Sequence, residues 1–205
     1  MLKLYGFARS RASRVLWMLH EIGLPYEHIP INVGPTGTAD PGFLALNPNG
    51  RVPVIDDDGL VLWESLAINL YLAKRHGGEL GPRDMAEDGL MPMWSVWAVA
   101  HFEPDAHEVL QTINLPPEKR NPQSLADAID RLTRPLGALE QALTRGGGFL
   151  VGGRFTVADL NVATVAFYLR GKTDALARFP EVQSWYGAAA DRPAFKTMLA
   201  LRERG

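Results

Sequence analysis

The sequence predicts an α/β domain followed by an all-helical one. Three observations carry that reading: β-like runs alternate with helical patterns over residues 1–77, a Gly/Pro-containing linker follows, and no convincing strand pattern appears beyond it. Residues 2–5 read as a strand, and Val15, Leu16, Leu19 and Ile22 make one face of a helix. Gly23 stands just past the end of that helix and Pro25 stops it. Residues 26–31 form a second strand, and the loop after it has room for a short helix. Residues 54–56 and 61–63 flank Asp57-Asp58-Gly59, a hairpin signal. From Glu64 to about Lys74, Leu66, Leu70 and Tyr71 return to helical spacing. The order β-α-β, loop, β-β-α describes a small domain with a mixed sheet.

Beyond the linker, helical segments are expected at about 86–113, 122–144, 156–168, 179–190 and 194–203. Pro104 and Pro135 fall inside two of them and should kink them. The expected division is therefore 1–77, a linker at 78–85, and 86–205.

Composition narrows the function. The chain has 205 residues, 23 acidic and 21 basic side chains, and a net charge of −2. That balance, with no Lys/Arg run, gives no electrostatic reason to expect nucleic acid or an anionic membrane. No apolar stretch is long enough to span a bilayer, and the start lacks the apolar core of a signal peptide, so a cytoplasmic location is expected. Cysteine is absent. Disulfides, thiolate metal sites and cysteine nucleophiles are therefore excluded, and any thiol chemistry must use a thiol brought by the substrate.

The candidate site lies within residues 47–72. In Asn47-Pro48-Asn49-Gly50-Arg51-Val52-Pro53, the last proline directly precedes a strand, where it cannot donate to a ladder. An ordinary edge-strand proline fits. So does a cis turn that leaves the Val52 amide and carbonyl facing outward, able to pair with another backbone. Glu64 and Ser65 then lead into a helix. Its free N–H groups and dipole attract a carboxylate, and Glu64 could accept from an ammonium group, although simple N-capping also fits. Together the two motifs suit a zwitterionic amino-acid end joined to a peptide backbone.

The run Asn-Pro-x-Gly-x-Val-Pro, then strand, turn, strand, Glu-Ser and an apolar helix, resembles the soluble glutathione transferase family over the whole chain. The resemblance implies a thioredoxin-like first domain that binds glutathione as co-substrate and an all-α second domain for the other substrate. It implies that Pro53 is cis, that the Val52 main chain holds the cysteinyl unit, and that Glu64 and Ser65 hold the γ-glutamyl end. Arg51 matches a position that often carries a basic residue near the glycine carboxylate. A second family signature runs from Gly152 to Leu160. There Thr156 and Asp159 have capping-box spacing and Phe155 and Leu160 fit a hydrophobic staple, so Asp159 reads as structural.

Glutathione's thiol, with a pKa of about 8.5, is mostly protonated at neutral pH, so an enzyme gains rate by placing a donor and positive potential beside it. The loop Gly6-Phe7-Ala8-Arg9-Ser10-Arg11-Ala12-Ser13-Arg14 supplies both. Ser10, four residues before Arg14, matches the catalytic serine of serine-type, bacterial-like members. Ser13 and Tyr5 are the other candidates, and Arg9 or Arg11 could steer the anionic tripeptide. Residues 32–42 hold no Lys, Arg or His, so the second grip on the glycine carboxylate that many relatives have is missing.

For the second substrate, a small hydrophobic electrophile, Trp97, His101 and Phe102 could form a wall, although an aromatic core stripe fits equally. No metal site is expected, since His101 and His107 are poorly spaced for one. The resemblance implies a cytoplasmic homodimer in detoxification. Glutathione-dependent peroxidase, isomerase or dehalogenase activity, or a non-catalytic binding or assembly role, shares the fold.

Overall fold

The computed structural model describes residues 1–171 and 173–204; Lys172 and Gly205, both within the expected second domain 86–205, lie outside them. The first elements are β1 (Leu2–Tyr5), α1 (Ala12–Ile22), β2 (Tyr26–Ile29), α2 (Pro41–Leu46), β3 (Val54–Asp57), β4 (Leu60–Trp63) and α3 (Ser65–His76). The sheet order is β2-β1-β3-β4, with β1 parallel to β2 and antiparallel to β3. This is the thioredoxin-like arrangement. β2 stops at Ile29, short of the expected residue 31, because Pro30 has no N–H to extend the ladder. The β3–β4 hairpin turns at Asp58 (φ 51°) and Gly59 (φ 95°), both left-handed as a tight hairpin turn requires. The short helix in the preceding loop is α2, capped by the Asp40 carboxylate on the Gly42 amide at 2.8 Å.

α1 is buried all round from Ala12 to Leu19, not on one face alone. The reason is long-range. The chain forms two compact units: Met1–Gly81 with the residues from Asp191 onward, and Pro82–Ala190. In the first unit α1 packs against α3 and also against α10 (Pro193–Arg204). Trp17 meets Phe195 edge-on, with ring centroids 4.8 Å apart. Arg192 forks onto the Glu21 carboxylate with two bonds of 2.7 Å, and the Trp17 indole donates to the same group.

The second unit holds α4 (Met85–Trp97), α5 (Glu103–Asn114), α6 (Pro122–Arg131), α7 (Thr133–Arg145), α8 (Val157–Ala166) and α9 (Pro180–Asp191). Neither expected proline kink occurs. A π-helical turn at Ala98–Phe102 separates α4 from α5, and Pro104 sits in the first turn of α5, where a missing N–H goes unnoticed. Pro135 likewise falls in the first turn of α7, after a break at Leu132. Both prolines start helices rather than bend them. Every residue of α8 is buried, the polar Asp159, Asn161 and Thr164 included. Its N-terminus carries the capping box: Thr156 N donates to Asp159 Oδ2 at 2.9 Å and Ala158 N to Thr156 Oγ1 at 3.3 Å. Among the described residues no helix is long and apolar enough to cross a membrane.

Candidate active site

The register of β1 on β3 sets Tyr5 opposite Val54, so the loop leaving β1 meets the turn entering β3. Gly6 is the point of contact. At φ 147°, a Cβ there would lie 2.8 Å from the Ala12 Cβ and 3.3 Å from the Val52 Cβ, so only glycine lets these segments close together. The Val52–Pro53 peptide bond is cis. Among the described residues, the Val52 amide and carbonyl have no backbone hydrogen-bond partner, leaving both for an added strand.

Asn47 shapes the approach to that turn. It is buried; its Nδ2 donates to Arg51 O at 2.7 Å and its Oδ1 accepts from Asn49 N at 3.0 Å and Asn49 Nδ2 at 2.9 Å. The loop is thereby closed on its own side chain, in the manner of an Asx turn. In the sequence Asn47 is only the first residue of the candidate stretch, and its side-chain role appears with the fold. Arg51 is exposed.

Ser10 is half-buried in the first loop. Its hydroxyl donates to Phe7 O at 2.7 Å and accepts from Ala12 N at 3.1 Å. The proton can therefore reach a ligand only by turning away from Phe7. Ser13 is buried, and its hydroxyl donates to Ser10 O at 2.9 Å. Tyr5 is half-buried at the end of β1. α1 has no acidic residue in its first turn, and Arg9 and Arg11 are exposed beside it. The potential at this end is positive from side chains and helix dipole alike.

The β4–α3 junction carries an unusual backbone. Glu64, exposed, has φ 72° and ψ 106°, a conformation that costs a residue with a side chain ~1–3 kcal/mol and clusters at ligand-binding positions. Its carboxylate does not cap α3. Ser65 is buried, 4% exposed, and its hydroxyl accepts from Arg14 Nη1 at 3.4 Å. Arg14 is buried too, and Asn69 Nδ2 donates to its carbonyl at 3.3 Å, so Arg14 ties α1 to the start of α3. In the sequence the only sign of this tie is that Arg14 directly precedes the apolar run Val15-Leu16-Trp17-Met18-Leu19.

In the helical unit, Trp97 is half-buried against Trp94 (5.1 Å between centroids) and Phe102 (5.8 Å), and His101 is exposed. Phe102 is wholly buried. Asp159, also wholly buried, further accepts from Leu150 N and the Trp185 indole, each at 3.0 Å. Burial pushes its carboxyl above the usual range, opposed by those bonds and Thr156. Among the described residues no three His, Cys, Asp or Glu side chains are grouped to hold a metal ion.

A mixed four-stranded sheet with this cis-proline turn, joined to a helical unit, defines a class, and comparison with known proteins gives the family. Residues 1–74 match the glutathione S-transferase N-terminal domain and residues 106–202 the glutathione S-transferase C-terminal domain. The chain is 32% identical to glutathione S-transferase F13 of Arabidopsis thaliana, covering 95% of this chain and 93% of that one. It is also 32% identical to glutathione S-transferase GstB of Escherichia coli K12, covering 98% and 99%. Among solved structures, the theta class glutathione S-transferase of Xanthomonas axonopodis pv. citri with glutathione bound superposes with a TM-score of 0.84. It is 29% identical, covering 96% of this chain and 95% of that one. The chain belongs to the glutathione S-transferase family.

Proposed function

We propose that the protein conjugates glutathione to small apolar electrophiles through a thiolate stabilised by Ser10. The observation that carries the reading is the adjacency, enforced by Gly6, of the hydroxyl-bearing first loop and the unpaired Val52 main chain. Glutathione laid along Val52 as an extra strand brings its cysteinyl sulfur to that loop. Arg51 reaches its glycine carboxylate, and Glu64 and the first turn of α3 at Ser65 take the γ-glutamyl end. Ser10 then releases Phe7 O and donates to sulfur, lowering the thiol's pKa beside a positive helix end. The thiol proton leaves to water, and the thiolate sulfur forms a bond to an electrophilic carbon as the leaving group departs with its electron pair. Within the helical unit, Trp97 and His101 are the side chains this reading offers to an apolar compound, and Phe102 packs against Trp97.

The Xanthomonas relative with glutathione bound supports this reading. The protein acts as a cytoplasmic homodimer in detoxification. The dimer reading is supported by a row on α4, where Leu90 (40%), Met93 (48%) and Val96 (62%) stay exposed at three-residue intervals, an apolar strip suited to a second copy. Retention on immobilised glutathione, followed by turnover of chloro-nitroaromatics, tests the function. Turnover of organic hydroperoxides alone would assign a peroxidase, and failure to bind glutathione would assign an assembly role.

A further inference from the structure

The loop that carries Ser10 is held from a residue almost the whole chain away. Arg202 lies on α10 near its end, half-buried, and its Nη1 donates to Ala8 O and to Ser13 Oγ, each at 3.1 Å, and lies 3.5 Å from Ser10 O. One nitrogen thus bridges the residues on both sides of Ser10. The contact is reciprocal: Arg9 Nε, on the loop, donates to Arg202 O at 2.9 Å. Both partners lie in one compact unit, where α10 packs along α1.

Three features make this more than a helix tether. The Arg202 guanidinium suits the last turn of its own helix, α10, and at the same time adds positive charge at the start of α1, where an anion is attracted. Arg9 and Arg11 add to that potential, and α1 offers no acid in its first turn to offset it. Finally, Arg202 binds Ser13 Oγ, whose own proton goes to Ser10 O, so the two atoms that fix the path of the chain at Ser10 belong to one network.

We propose that Arg202 is a positioning residue of the Ser10 loop, fixing the direction of the Ser10 hydroxyl and contributing positive potential to the bound glutathione thiolate. The inference rests on the reading of Ser10 as the thiolate donor. Arg202 touches no reacting atom; it acts through the main chain at Ala8 and Ser10 and through Ser13.

The test is the pH profile of kcat/KM for conjugation of a chloro-nitroaromatic by the full chain, with the ultraviolet absorbance of bound thiolate as an independent readout. Arg202→Met should raise the apparent thiol pKa by ~1 unit, lowering kcat/KM about tenfold on the acid limb, with glutathione KM changed less than about threefold. Arg202→Lys, which keeps the charge but not the fork, should lie between Met and wild type. Glu203→Ala, exposed on the same helix, should leave the profile unmoved. An unshifted profile in Arg202→Met, beside an active wild type, overturns the proposal while leaving the transferase reading intact. If Arg202→Met does not fold, Arg202→Lys and Ser13→Ala decide: a raised thiol pKa in both supports the proposal, and its absence in either overturns it. A wild type that forms no bound thiolate overturns both readings together.

Discussion

Glu87 and Arg154 make the most quantitative stability prediction, because their pair is both closed and charged. Arg154 grips Glu87 with two parallel bonds of 2.7 Å, the Arg83 amide adds a third at 2.8 Å, and each paired side chain is only 13% exposed. The Arg154 bonds pull the Glu87 carboxyl from 4.5 to about 2, against the opposing effect of burial. A fall of ~2.5 units corresponds to at most ~3.4 kcal/mol. Residual water access and side-chain entropy reduce the measurable part to ~1–2 kcal/mol. Because the folded pKa lies below the unfolded one, this stability is fully present above pH 4.5 and is lost as pH falls towards 2. Urea unfolding of wild type and Glu87→Gln, followed by fluorescence of the five tryptophans, reads it directly. At pH 7 the variant should be less stable by ~1–2 kcal/mol, and the gap should narrow steadily between pH 4.5 and 3. A gap of the same size at pH 3 and pH 7 would refute the argument.

Three further outcomes follow from the same structure. Gly152, at φ 66°, has no room for a Cβ between the Arg154 guanidinium and the Glu87 carboxylate, so Gly152→Ala should cost ~2–3 kcal/mol in urea unfolding; full additivity with Glu87→Gln would contradict a shared network. Ser10→Ala should lower kcat by ~10²-fold while glutathione affinity, from equilibrium binding, moves less than about threefold; an equal loss of both removes Ser10 from its role. Val96→Glu places a charge in the exposed strip of α4 and should weaken self-association by ~2 kcal/mol or more per protomer in sedimentation velocity. An unchanged dimer would move the interface elsewhere.

Local chemistry made much of this molecule legible. Asp57-Asp58-Gly59 turns where its φ > 0 residues allow, and Thr156 with Asp159 caps α8 at the expected spacing. The helix ends were harder. Pro104 and Pro135 suggested kinks because a proline inside an apolar periodic run looks the same whether it bends one helix or begins the next. What the sequence hid was long-range. Nothing near α1 announces that α10 will cover its second face, or that Arg202 will bond the loop at Ala8 and Ser13. The positive φ of Glu64 runs against local propensity, so nothing in the sequence signals it.

The N-termini of α1, α3 and α8 all carry polar side chains, and where their hydrogen bonds go sets them apart. At α8, Asp159 accepts from Thr156 N and Oγ1, Leu150 N and the Trp185 indole, and is wholly buried; nothing remains for a ligand, and its role ends with the fold. At α3, Glu64 is exposed, caps nothing and sits on a strained backbone, so its carboxylate is held outward at a stability cost the helix itself does not repay. At α1, Ser10 lies between these cases. Its proton is satisfied by Phe7 O, but across a loop whose far side is pinned by Arg202, so in the role proposed for it exchange of that bond for one to sulfur would leave the rest of the loop in place. A hydroxyl that is satisfied at rest and can be redirected without unfolding its surroundings suits a donor that must act only when the thiol arrives.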